Sequence, residues 1–135
     1  MPSAPVICCE ISFHLIPEKR SCELLVQIRL LQHGVQAAPP IKDTGNDLIA
    51  VKRKVFKAIQ VKTTEGHRTP KYDATNRMYH FLAIVRLARE PEQVSLDSSI
   101  IYLVPWAKVE DLPSAVDSLE VRDVLTENLV RKFFG

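Results

Sequence analysis

Glycine is scarce in this chain, four residues in 135, and no glycine-rich stretch of the kind that cradles phosphates occurs, so a nucleotide-binding loop of that type is excluded. Long apolar runs are missing too. No window reaches the roughly 18 apolar residues that a membrane span needs, and the N-terminus has no basic region followed by a long apolar run. The expectation is a soluble, cytoplasmic protein that makes no membrane contact. Cysteine is limited to Cys8, Cys9 and Cys22. The odd number and the clustering near the start argue against a disulfide framework and give no paired zinc spacing, so buried or idle thiols in a reducing compartment are expected. No histidine pair has zinc spacing either, and His67 and His80 read as polar surface or strand residues. Repeats and low-complexity segments are absent.

What the chain does have is 46% hydrophobic residues, enough for one globular domain spanning 1–135 with a real core. Its net charge of +2 hides an asymmetry. Lys42 to Arg89 carries eleven Lys or Arg against four Asp or Glu, whereas Glu90 to Glu127 carries two against nine. The basic charge therefore gathers in the middle of the sequence, as a phosphate-binding surface requires. The competing reading is a solvated strand face paired with the acidic C-terminal third.

In chain order, Val6 to Ile16 is apolar and fits either an added strand or a docked lead-in. Pro17 suits a first helical turn, and Leu24, Leu25, Val26, Ile28 and Leu31 make a broad apolar stripe that Gly34 ends, predicting a helix from about Pro17 to His33. Val35 to Ala38 is long enough for a short strand. The Asp43-Thr44-Gly45-Asn46 cluster reads as a turn that delivers Asp47 at the mouth of the next strand. Leu48 to Val51 and Val55 to Thr63 form a hairpin around the charged turn Lys52–Lys54. On its second strand, Phe56, Ala58, Gln60 and Lys62 share one face, and Val55, Lys57, Ile59 and Val61 the other. Thr64 to Met78 reads as an irregular excursion exposing Arg68, Lys71, Tyr72 and Arg77. Tyr79 to Leu87 and Ser99 to Val104 are near-continuous apolar strands, implying a sheet covered on both sides. Ala88 to Asp97 reads as a charged loop between them. Trp106, after the second of these strands, reads as core or interface. From Ser118 as cap, Val121, Val124, Leu125, Leu129 and Phe133 keep helical spacing, predicting a C-terminal helix over about 118–134. The whole is a compact α/β sandwich.

The chemistry concentrates on the hairpin. Cleaving a phosphodiester calls for a divalent cation held by carboxylates and carbonyls. The Asp47 carboxylate, the Gln60 side-chain carbonyl and the Val61 backbone carbonyl are oxygen ligands suited to Mg2+ or Mn2+. Lys62, two residues after Gln60 on the same face, can orient or deprotonate the attacking water. Glu23, from the first helix, can complete the set directly or through water, with Glu18 the competing helix carboxylate. Taken singly, Asp47 also fits a turn cap, Gln60 a buried amide satisfying backbone, and Lys62 a charge that blocks sheet pairing.

An acidic residue on a first helix, then Asp, then an acid-or-amide-X-Lys tripeptide on the partner strand resembles the PD-(D/E)XK nuclease superfamily, which includes restriction enzymes and Holliday junction resolvases. The helix from Glu23 to Gly34, Gly45-Asn46-Asp47-Leu48-Ile49 and Ile59-Gln60-Val61-Lys62-Thr63 are most similar to the branch containing group I intron homing endonucleases, which carries Gln-Val-Lys-Thr. Tyr79 to Val85 and Ile101 to Pro105 resemble its fourth and fifth strands, so the likeness spans about Glu18 to Pro105. It implies a restriction-endonuclease-like α/β sandwich, a mixed sheet of about five strands flanked by an N-terminal and a C-terminal helix. It further implies a Mg2+- or Mn2+-dependent DNA endonuclease with Asp47, Gln60, Lys62 and Glu23 as catalytic residues. Asp47, Gln60, Val61 and Glu23 would be the metal ligands. Lys52, Arg53, Lys54, Arg68, Lys71 and Arg77 are the expected DNA contacts, and a homodimer or higher homo-oligomer the expected assembly. Two departures matter. Gln60 stands where most of the superfamily has Asp or Glu, leaving two carboxylates instead of three. No dedicated DNA-reading domain is present. The alternative is accordingly a catalytically weak or inactive nuclease-fold protein that serves as a DNA- or protein-binding subunit.

Overall fold

In a computed structural model of the chain, residues 18–42, 46–64, 79–90, 93–111 and 123–135 are described. Helix α1 spans Glu18–Gln32, followed by strands β1 (Gln36–Ala38), β2 (Leu48–Lys52), β3 (Val55–Thr64), β4 (Phe81–Glu90) and β5 (Gln93–Pro105). A 3-10 turn, Trp106–Asp111, and helix α2, Glu127–Phe134, complete the order. The expected stretches at Val6 to Ile16 and from Glu65 to Met78, with Arg68, Lys71, Tyr72 and Arg77, lie outside the described residues. Among the described residues no helix is long and apolar enough to cross a membrane.

Helix α1 ends as the sequence predicts. Gly34 takes φ +79°, and its N–H donates to the Leu31 carbonyl at 2.9 Å while that of Val35 donates to Leu30 at 2.9 Å. This left-handed cap satisfies two orphan carbonyls and seats Leu30 beside Val35, both fully buried. The five strands lie side by side in chain order as one mixed sheet. Every neighbouring pair is antiparallel except β3 and β4, which run parallel in the register Gln60↔Leu82 and Lys62↔Ile84. The expected five-stranded mixed sheet with a helix at each end of the chain is the architecture observed.

Both helices pack on the same face of the sheet. Leu25, Val26 and Leu30 of α1, with Leu129, Val130 and Phe134 of α2, join Leu48, Ala50, Ile59, Val61, Phe81, Ala83 and Leu103 in one core cluster. Phe81 anchors α2 through Phe133, ring centroids 4.6 Å apart, and Phe134 at 6.0 Å. A smaller cluster on the opposite face joins Tyr79, Leu82, Ile84, Tyr102, Val104 and Val109, with Ala58 and Val124 against it. The sheet is thus covered on both sides, but the two helices share one side.

Three expectations are corrected. Ala88 to Asp97 is not a loop: β4 continues to Glu90 and β5 begins at Gln93, pairing Ala88↔Ser95 and Glu90↔Gln93 past a register shift between Arg86 and Ala88. Backbone pairing holds the charged residues in strand conformation there. The C-terminal helix does not include Val124 and Leu125. Val124 bridges Tyr102 on the β5 edge and the Leu125 N–H donates to Ile101 at 2.9 Å, so this stretch is extended. Thr126, not Ser118, is the N-cap, its hydroxyl accepting from the Leu129 N–H at 3.3 Å. Trp106, expected in the core or at an interface, is exposed, which corrects the first of those two places only.

Candidate active site

Strand β3 outruns its neighbour. The β2 register stops at Leu48↔Ile59, so among the described residues no strand pairs with that edge of β3 beyond it, and Asp47 immediately precedes Leu48 there. The Asp47 N–H still donates to the Ile59 carbonyl at 2.9 Å. Its carboxylate Oδ2 accepts the Val61 N–H at 2.8 Å, taking the place of the missing strand. A strand residue's N–H and C=O leave on the same edge. The Val61 carbonyl is therefore directed toward the edge on which the Asp47 carboxylate sits. The Asp47 side chain is only 7% exposed, and the preceding Asn46 is buried as well.

Alternation along β3 sends Gln60 and Lys62 to the face away from the helices, since Ile59 and Val61 belong to the helix-side cluster. The parallel register sets them beside Leu82 and Ile84. Gln60 is 3% exposed, and its Oε1 has no hydrogen-bond partner among the described residues. Such an acceptor costs about 1–3 kcal/mol relative to a satisfied one. Lys62 is half-buried, about 7 Å along the strand from Gln60 by strand geometry.

Glu23 is buried at 9% exposure despite its charge. Its Oε2 accepts from Arg20 Nη1 at 3.2 Å. One residue earlier, Lys19 Nζ lies 3.8 Å from Asp47 Oδ1. Because Lys19 and Glu23 are one turn apart on the same side of α1, the contact from Lys19 docks the Glu23 side of the helix at the Asp47 end of β2. The structure thus joins Asp47 to Val61 by a hydrogen bond and to α1 through Lys19, while Gln60 and Lys62 face away from the helices. Glu23 is tied to Arg20.

The basic turn lies elsewhere. Arg53 and Lys54 are exposed at the hairpin tip and Lys52 is half-buried beside them. They are at the far end of β2 from Asp47, about 17 Å away at strand rise, or about five phosphates along one DNA strand. Arg53 adopts φ +55°, a left-handed conformation that favours glycine.

The donors at the β3 edge are carboxylate, amide and backbone oxygens, a set suited to Mg2+ or Mn2+ rather than zinc. Among the described residues no group of three or more His, Cys, Asp or Glu could hold a metal. The buried Gln60 oxygen, without a hydrogen-bond partner among the described residues, is an acceptor of the kind a cation would satisfy. Lys19 and Arg20 had not been expected at the site; their spacing of four and three residues from Glu23 is the sequence signal that points to them. His80 is structural: its Nδ1 accepts the Ala58 N–H at 2.9 Å and its own N–H donates to the Ala58 carbonyl at 2.8 Å.

No protein-family model matches this sequence, and no curated protein matches it. Among solved structures, a bacterial homing endonuclease, I-Ssp6803I, is similar in fold, with a TM-score of 0.50 and 14% sequence identity over 79% of this chain and 74% of that one. At that identity the likeness speaks for a shared fold.

Proposed function

We propose that the protein is a Mg2+- or Mn2+-dependent DNA endonuclease of the PD-(D/E)XK type, cutting phosphodiesters at the notch where β3 outruns β2. The observation that carries this reading is the buried Gln60 Oε1, unpartnered among the described residues and next in sequence to Val61, whose N–H the Asp47 carboxylate accepts at 2.8 Å. A buried acceptor left without a donor is explained by a ligand that supplies positive charge. Asp47, Gln60 and the Val61 carbonyl would hold the cation, with Glu23 reaching it from α1. When bound, such an ion polarises a phosphoryl oxygen and lowers the pKa of a water. The chain's own residues do the rest. The Val61 N–H fixes the Asp47 carboxylate, burial fixes the Gln60 amide, and Lys62 on the same face as Gln60 orients the attacking water or takes its proton.

Exposed Arg53 and Lys54 would engage phosphates about five nucleotides from the scissile bond by the strand-length estimate above. Arg68, Lys71 and Arg77 belong to the same proposed surface. The protein is proposed to act as a homodimer or higher homo-oligomer, which light scattering tests directly, and to work in the cytoplasm. The fold likeness to a homing endonuclease supports the reading without supplying it.

The direct test is nicking of plasmid and branched DNA with Mg2+ or Mn2+. Asp47→Ala and Lys62→Ala should each lower the rate by about 100-fold or more, the range of a positioned acid–base group, and removal of the ion with EDTA should abolish it. Undiminished cutting by the Lys62 variant would remove that residue from the mechanism. A second reading, a nuclease fold that binds DNA or a partner without cutting, is favoured by one observation: both carboxylates are already paired with Lys19 and Arg20. It predicts no heat of metal binding together with salt-dependent DNA binding.

A further inference from the structure

Lys19 and Arg20 are consecutive in the first turn of α1, and each faces one carboxylate of the site. Arg20 is accounted for as an i,i+3 ion pair with Glu23 inside the helix, whereas Lys19 faces a carboxylate outside it. The first turn is the positive end of the helix dipole and favours acidic side chains, so a cation at Lys19 gains nothing from the helix itself. Of the two Asp47 oxygens, Oδ2 is held in place by the Val61 N–H at 2.8 Å. The other, Oδ1, is the one Lys19 faces at 3.8 Å. The partners differ sharply in freedom: the Asp47 side chain is 7% exposed and that of Lys19 is 71% exposed. At 3.8 Å the contact is electrostatic and longer than a hydrogen bond. A flexible ammonium with its head in water leaves such a contact readily.

We propose that Lys19 is the resident counterion of the metal-free site, occupying the cation side of Asp47 Oδ1, and that a divalent cation entering there displaces it. This rests on Asp47 being a cation ligand, as proposed above. The device explains how a nearly buried carboxylate is tolerated before the ion arrives, since an unpaired one is costly to bury. It makes the apparent affinity for the ion a competition with the protein's own side chain.

The test is Mn2+ binding to the full chain, measured by calorimetry and by the spectroscopic signal of free Mn2+, for wild type, Lys19→Gln, Lys19→Arg and Asp47→Ala. Lys19→Gln should bind Mn2+ about two- to fivefold more tightly than wild type, the range of an ion pair with one exposed partner. Lys19→Arg, which keeps the charge, should stay near wild type, and Asp47→Ala should lose binding. The advantage of Lys19→Gln should shrink as KCl rises from about 0.05 M to about 0.5 M, because screening removes the competitor. Mn2+ should also raise the melting temperature of Lys19→Gln more than that of wild type. Equal or weaker binding by Lys19→Gln, with Asp47→Ala still defective, would overturn the counterion while leaving the cation site standing. Binding untouched by Asp47→Ala would remove both. Lys19 is exposed, so its variants should fold, which melting in EDTA checks.

Discussion

The two faces of β3 are built from one strand and obey opposite rules. Toward the helices, Val55, Ile59 and Val61 pack into the larger core cluster, and the one charged residue between them, Lys57, lays its ammonium 6.0 Å from the centroid of the Phe81 ring. Away from the helices, Phe56 is 64% exposed, Ala58 is partly buried, Gln60 is buried with its amide oxygen unpartnered among the described residues, and Lys62 is half-buried. At Ile59 and Val61 the first face is what burial alone would select. The second carries a cost, and a folded chain keeps such a cost where a site requires it. From Ile59 to Lys62 the strand thus alternates between apolar residues that hold the fold together, Ile59 and Val61, and the polar pair Gln60 and Lys62 on the opposite face.

The division breaks most visibly under mutation of adjacent residues. Ile59→Ala should destabilise the protein by about 2–5 kcal/mol, the loss from truncating a fully buried aliphatic side chain, read by urea unfolding. Gln60→Leu, one residue on, should do the opposite. Replacing an unsatisfied buried amide by an apolar group of similar size should raise stability by about 1–3 kcal/mol while abolishing Mn2+ binding. If Gln60→Leu were as destabilising as Ile59→Ala, the amide would be holding the fold and the division between the two faces would fail.

The sequence made much of this visible and hid part of it for identifiable reasons. The hairpin, the Gly34 cap and the alternation on β3 were legible because period and turn chemistry are local. Asp47 and Gln60 are grouped as candidates from the sequence because a hairpin brings its own members together, and what the structure adds is the hydrogen bond from the Val61 N–H to Asp47. What was not legible depends on partners far along the chain. Val121, Val124 and Leu125 keep a helical spacing, yet Val124 is held extended by its bridge to Tyr102, a contact that no local period records. The charged stretch after Leu87 reads as loop because charge is a poor strand signal, whereas β4 and β5 pair through it on backbone bonds. That both helices lie on one face is likewise tertiary. The ion pairs of Lys19 and Arg20 fall between: the spacing to Glu23 is local, but the reach to Asp47 is not.

The smallest effect concerns the hairpin tip, where the same opposition of stability and function recurs in the backbone. Arg53 holds φ +55°, a conformation that disfavours any side chain by about 1 kcal/mol or more and that glycine adopts freely. A turn selected for stability would carry Gly there, since two-residue hairpin loops favour it at positive φ. An exposed arginine at that position contributes charge and no packing. Arg53→Gly should accordingly stabilise the protein by about 0.5–1 kcal/mol, after allowance for the greater unfolded-state entropy of glycine. At the same time the slope of log DNA affinity against log salt should become shallower by about 0.9, the signature of one lost phosphate contact. Cleavage at saturating DNA should not change, because the tip is about 17 Å of strand away from Asp47. A variant that gained stability without any change in salt slope would show that Arg53 does not touch DNA, and the proposed phosphate track would then have to leave the hairpin tip altogether.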